Sequence, residues 1–217
     1  MNLFKDWYEG KLKLFRLNFG MIILLQKSKD ANNLPKYRPI SLLQVLYKII
    51  TKVVTLKMEP FMNKLISPCQ TAFIKGRNIM DGVMSLHEIL HEARRKKQQG
   101  VVLKLDFEKA YDKVDWKYLM KCVSQKGFSP LWCRLIKEIV HDRTLCVKIN
   151  NTRGGDFGSH RGVRQGDPFS PFLFNLAAEN LAKMIKKAQE AGHIVVLVPH
   201  LIHQGIAIFQ YADDTIL

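Results

Sequence analysis

Covalent and metal staples are scarce in this sequence: its four cysteines, Cys69, Cys122, Cys133 and Cys146, are scattered with no Cys-x-x-Cys pair. Neither a disulfide framework nor a structural zinc site is expected, and a reducing, intracellular compartment is the default. The first residues mix Lys5, Asp6, Glu9, Lys11 and Lys13 with apolar ones, which gives no secretory h-region and no Arg/Ser-biased transit peptide. One stretch, 191–212, contains no Asp, Glu, Lys or Arg over a length that could cross a bilayer. Gly192, His193, Pro199, His200, His203, Gln204 and Gly205 interrupt it, so two buried strands flanking a loop are expected there and no membrane span. Internal repeats, low-complexity tracts and Gly/Ser linkers are absent, which argues for one unit. Acidic residues are also few, 19 against 34 Lys and Arg, and the net charge of +15 asks for a polyanionic partner, nucleic acid before an anionic membrane surface.

What the chain does have is core: 47% of its 217 residues are hydrophobic, enough for one generous domain or two small subdomains. Residues 20–28 and 37–44 have the pattern of short strands around a Lys-rich loop. Apolar residues at helical spacing predict helices over 44–66 and 79–98. The second ends in Arg94-Arg95-Lys96-Lys97, a cationic last turn that suits the helix dipole. Val101 to Leu105 is an apolar run ending in Asp106, followed by a predicted helix from Glu108 to Lys126 stopped by Gly127. Residues 145–150 and about 156–163 resemble a hairpin, a helix follows from Ser170 to about Ala191, and 205–210 is a strand entering Tyr211-Ala212-Asp213-Asp214. Thr215 to Leu217 begins a returning strand. That order predicts an α+β protein with a split βαβ, ferredoxin-like sheet and helices on one face.

The residues that suggest chemistry are Asp106 at the end of one apolar strand and Asp213-Asp214 in a tight turn. Carboxylates bracketed by apolar runs are costly unless a cation pairs with them, and neighbouring Asp residues disfavour each other's ionisation. Hard oxygen ligands suit Mg²⁺, which is usually completed by waters and substrate phosphates, so carboxylates in a basic chain point to phosphoryl chemistry on nucleic acid. Ordinary turn chemistry for Asp213-Asp214 and a helix cap for Asp106 are the bland alternatives.

Five segments go further. Leu103–Asp115 (LKLDFEKAYDKVD), Arg161–Pro171 (RGVRQGDPFSP) and Tyr211–Asp214 (YADD) fall in the order and spacing of a reverse transcriptase palm. Upstream, Tyr37–Leu43 (YRPISLL) and Gln70–Arg77 (QTAFIKGR) resemble fingers segments of non-LTR, LINE-type retrotransposon enzymes, most closely those of plants. The resemblance implies a right-hand polymerase architecture, fingers-like over about 1–100 and palm-like over about 101–217, that stops short of a thumb. It implies that Asp106 and Asp213 hold two Mg²⁺ ions, or Mn²⁺, with Asp214 as a supporting ligand, for transfer of a nucleotide onto a primer 3′-hydroxyl.

By the same resemblance Tyr111 is the steric gate against a ribose 2′-hydroxyl, and Phe107, Gln165 and Gly166 meet the incoming nucleotide. Lys27 and Arg38 grip its triphosphate, although the family more often has a proline before this lysine. Lys75, Arg77 and Arg164 contact template or primer. The implied partners are an RNA template, a DNA primer and deoxynucleoside triphosphates. Two other readings compete. His87-Glu88-Ile89-Leu90-His91 is formally the HExxH of a zinc metallopeptidase. The main reading is itself of a truncated copy, expected to extend a primer poorly on its own, since a correctly placed primer end is much of what the reaction requires; alternatively, the chain is a remnant that binds nucleic acid without catalysis.

Overall fold

The computed structural model describes residues 3–141, 143–198 and 208–217. The chain divides into two compact units interleaved along the sequence, Met1–Met58 with Tyr111–Leu173, and Glu59–Ala110 with Phe174–Leu217.

The first unit is built on a five-stranded sheet. Strands β1 (Phe19–Gln26) and β2 (Tyr37–Leu43) form an antiparallel hairpin in the register Gly20↔Leu43 to Gln26↔Tyr37. The 145–150 strand is real, as β4 (Thr144–Ile149), but it lies parallel to β1, Gly20 level with Leu145, and not beside the strands that carry the aspartates. The expected α+β fold is carried by two sheets, and in the first of them β1, apolar along most of its length, takes a neighbour on each side. Gly20 makes the fit close, since a Cβ there would stand 3.1 Å from Leu145 and 3.2 Å from Leu43.

Strand β4 then turns back through Asn150-Asn151, both at positive φ as a two-residue hairpin turn requires, into β5 (Thr152–Arg153), and also pairs with β6 (Phe157–Gly158). Helix α1 (Leu3–Tyr8), residues 45–58 of α2 (Val45–Leu65), α5 (Trp116–Gln125) and α6 (Pro130–Val140) supply the core, with Trp7, Tyr47, Ile50, Leu119, Leu135 and Ile136 almost fully buried. Helix α6 was not anticipated, although Ser129 caps it and Pro130 opens it.

The helix expected over 108–126 is broken in two. A short turn, α4 (Ala110–Lys113), ends before Asp115, whose carboxylate accepts from the Tyr118 amide at 2.7 Å and starts α5 afresh. Helix α5 stops at Gly127, which has φ +79°.

The second unit holds a three-stranded antiparallel sheet in the order β3 (Lys104–Leu105), β8 (Asp214–Ile216), β7 (Phe209–Tyr211). Helix α3 (Ile79–Arg95), capped by Asn78, packs Ile89 and Ala93 with Val198, Leu197 and Phe209. Residues 174–190 of α7 (Ser170–Glu190) complete it. Of the two strands expected within 191–212, the first is absent from residues 191–198, and residues 199–207 lie outside the described structure, including the start of the 205–210 strand. No helix of the described residues is long and apolar enough to cross a membrane.

Candidate active site

Strands β3 and β8 pair Lys104 with Ile216 and Leu105 with Thr215. Carried one residue further, that register sets Asp106 level with Asp214. Asp213 is the adjoining turn residue, because Tyr211 pairs with Asp214 and leaves Ala212-Asp213 as the two-residue loop of the β7–β8 hairpin. The three residues therefore share one end of the sheet. Asp106 and Asp214 are exposed and Asp213 is half-buried. Asp214 accepts a 3.5 Å ion pair from Lys104 on the neighbouring strand. Phe107, beside Asp106, is 42% exposed.

Among the described residues no three His, Cys, Asp or Glu side chains stand together as a ready-made metal cage. The donor chemistry nevertheless fits Mg²⁺, which is ordinarily bound by one or two carboxylates and completed by phosphate and water, not by an all-protein cage. Asp106 and Asp213 are the two carboxylates free of Lys104 that could serve.

Left-handed backbone is where a two-residue turn would normally use glycine, but here Ala212 occupies it at φ +53°. The residue that holds it is Gln70, only 1% exposed. Its Oε1 accepts from the Ala212 amide at 2.9 Å and from the Ala72 amide at 3.0 Å, while its Nε2 donates to the Ala212 carbonyl at 3.1 Å. Main-chain bonds from Thr71 N to Gln210 O (3.0 Å) and from Gln210 N to Cys69 O (2.8 Å) lay residues 69–71 alongside β7.

Arg77, expected on nucleic acid, is spent inside this segment. Its guanidinium donates to the carbonyls of Ser67 (2.6 Å), Gln70 (2.7 Å), Ile66 (2.8 Å) and Asn63 (3.4 Å), and to Asn63 Oδ1 (3.1 Å). It thus closes the C-terminus of α2, where carbonyls lack helical partners. Glu179 of α7 accepts from both the amide (2.8 Å) and the hydroxyl (2.7 Å) of Ser67, and Asn175 donates to Ala72 O at 2.8 Å. Lys75 reaches Glu59 only at 4.0 Å and is highly exposed, so it remains available to a phosphate. Burial and the Glu179 charge push the Cys69 thiol up to about 11.

The first unit gathers a second set. In the β1–β2 register Lys27, whose amide bonds Lys36 O, and Arg38, which pairs with Leu25, fall on one face of the hairpin. Lys27 Nζ donates to Pro35 O at 3.0 Å, and Arg38 is exposed. The Gln165 carbonyl accepts from the Ser41 amide at 3.0 Å, and Gly166, at φ +101°, leaves no room for a Cβ, which would stand 3.0 Å from Ser41 O. Gln165-Gly166 is thereby fixed against the strand that carries Arg38. Tyr111, half-buried, holds Val163 N through its carbonyl at 2.8 Å.

Arg164, expected on template or primer, is turned inward: 5% exposed, it donates to Asn18 O at 3.0 Å and lies over the Tyr47 ring. Nearby Arg143 is pushed down to about 10 by burial, and burial pushes Asp167 up, although Ser170 donates to it. Charge in Arg-Gly-Val-Arg had hidden this, because nothing in a sequence distinguishes a guanidinium in the core from one on the surface. His87 and His91 sit exposed on α3 with no third ligand among the described residues.

The chain is 34% identical over 198 residues, 91% of its length, to the transposon TX1 149 kDa protein of Xenopus laevis, and 23% identical over 89% of its length to the Pol polyprotein of the R2 retrotransposable element of Popillia japonica. It spans only 15% and 26% of those two proteins. Among solved structures, apo telomerase of Candida tropicalis superposes with a TM-score of 0.59 at 14% identity, over 99% of this chain and 48% of that one, which shows a common α+β fold. Residues 25–217 match the family model described as reverse transcriptase (RNA-dependent DNA polymerase), and the chain belongs to that family.

Proposed function

We propose that this chain carries RNA-directed DNA polymerase chemistry for a non-LTR retrotransposon of the kind found in plants. The observation that carries the reading is the β3–β8 register, which brings Asp106 to the same sheet end as the Asp213-Asp214 turn. Asp106 and Asp213 would hold two Mg²⁺ ions, or Mn²⁺. When bound, such ions neutralise a triphosphate and make a primer 3′-hydroxyl more acidic. Lys104 keeps Asp214 paired, so that this end of the sheet does not present three unscreened negative charges.

In the first unit Arg38 and Lys27 donate to phosphate oxygens, the exposed guanidinium being suited to bidentate contact. Gln165-Gly166 offers a fixed backbone edge to the nucleotide, and the Tyr111 ring acts as the gate against a 2′-hydroxyl. The partners are an RNA template, a DNA primer and deoxynucleoside triphosphates, which the +15 charge supports. Four free thiols support a reducing, intracellular setting.

The test is single-nucleotide addition to a DNA primer annealed to RNA, with protein in excess and Mg²⁺ present. RNA-templated addition is expected, falling at least a hundredfold in Asp213→Asn with hybrid binding unchanged. Addition that survives Asp213→Asn, or that is absent from the unaltered chain, overturns the proposal.

A further inference from the structure

The aspartate turn rests on a side chain that is not itself a candidate ligand. We propose that Gln70 is a positioning residue for the metal-binding turn, which it locks by bonding both the amide and the carbonyl of Ala212.

Ala212 must hold a left-handed backbone for Asp213 and Asp214 to emerge where they do, and alanine adopts that conformation only against a cost that glycine does not face. A side-chain amide is one of the few groups that can serve both poles of one peptide residue, since it carries an acceptor and a donor side by side. Gln70 does so at 2.9 and 3.1 Å, with a third bond, from the Ala72 amide at 3.0 Å, fixing which way its amide faces. The position of Gln70 is set in turn. Arg77 holds the Gln70 carbonyl at 2.7 Å, Asn175 holds the Ala72 carbonyl at 2.8 Å, and Glu179 anchors Ser67. Asp213 follows Ala212 directly, so rotation at Ala212 reorients the Asp213 backbone from which its carboxylate projects. This inference rests on the assignment of Asp106 and Asp213 as metal ligands. It adds that their geometry is set from a segment well over a hundred residues away in sequence, in which Gln70 and Arg77 support the turn.

The experiment uses the 217-residue chain with Mn²⁺ as the probe, free Mn²⁺ being read by electron paramagnetic resonance, and with amide hydrogen exchange in the absence of metal. In the unaltered protein the Ala212 amide is expected to exchange as slowly as the paired strand amides. Exchange at the rate of an open turn overturns the proposal without any variant. Gln70→Met keeps the volume but loses all three side-chain bonds. Ala212 exchange should rise at least tenfold and Mn²⁺ affinity should drop roughly 10–100-fold, the usual range when a partner behind a metal ligand is lost. Adding Ala212→Gly should recover part of the affinity, because glycine takes the left-handed conformation unaided. General damage to the core would not be repaired by that change. If Asp213→Asn loses Mn²⁺ while Gln70→Met binds it as tightly as the unaltered chain, the positioning role fails and the metal assignment stands. If Asp213→Asn binds as well as the unaltered chain, the metal assignment fails and takes this inference with it.

Discussion

Arg77 and Arg38 carry the same guanidinium within fingers-type motifs, yet the protein uses them in opposite ways. Arg77 directs its donors inward to four main-chain carbonyls and one side-chain amide, and its environment lowers its basicity through burial. Arg38 stands exposed on β2, paired with Leu25 through the main chain, and its guanidinium has no hydrogen bond or ion pair to a described residue. One is mortar for the loop under a turn; the other is a donor held in reserve. The lesson is that a basic residue in a nucleic-acid protein must be sorted by where its protons go before it is counted as a contact.

Removing the guanidinium separates the two most sharply. Arg77→Ala should cost about 3 kcal/mol in urea unfolding, because it leaves several carbonyls unpaired at once. Arg38→Ala should stay within roughly 0.5 kcal/mol. Equal losses would erase the distinction. Next in size is Cys69, which lies inside the braced segment. Its thiol is raised from 9.0 to about 11, so at pH 8 it is protonated, and its thiolate fraction is roughly a hundredfold below that of an unshifted thiol. Alkylation by iodoacetamide, followed by mass spectrometry, should therefore be slow at pH 8 and accelerate toward pH 11.

On the other side of the comparison, Arg38→Ala should weaken deoxynucleoside triphosphate binding about tenfold, the worth of one charge-assisted phosphate contact, with metal binding unchanged. Arg77→Ala measured below its melting temperature should leave triphosphate affinity largely intact. A reversed pattern would restore Arg77 to the substrate. Smaller still, Ala212→Gly alone should stabilise by up to about 1 kcal/mol in thermal unfolding, since it relieves left-handed alanine. Smallest is His87→Ala with His91→Ala, expected within about 0.5 kcal/mol and without effect on Mn²⁺ affinity.

Local periodicity made much of the fold legible. Strands β1 and β2 and helices α2, α3 and α7 fall within a few residues of where apolar spacing put them, because those patterns report burial directly. What spacing could not report was pairing across distance. Nothing in 144–149 says that its neighbour is β1 and not β3, and nothing in Glu108–Lys126 announces that Asp115 will cap a new helix. The aspartates were legible because a carboxylate at the end of an apolar run is conspicuous. Gln70 was not, since a glutamine at that point looks like any polar loop residue until its partner at 212 is known. Arg164 misled for the converse reason: its charge advertised the surface and its packing is with Tyr47.

The three-stranded sheet has two unlike sides. Along β7 the main chain of 69–71 takes up the outward hydrogen bonds, whereas β3 is the outermost strand in the described structure and is preceded by Val101, Val102 and Leu103, exposed at 84%, 44% and 49%. Growth of this sheet therefore has a direction. Any further strand, whether from more polypeptide or from a second molecule, has a ready template at β3, and the same apolar edge is where concentrated protein would begin to self-associate. A lysine at Val101 should accordingly improve solubility without disturbing the aspartate end of the sheet.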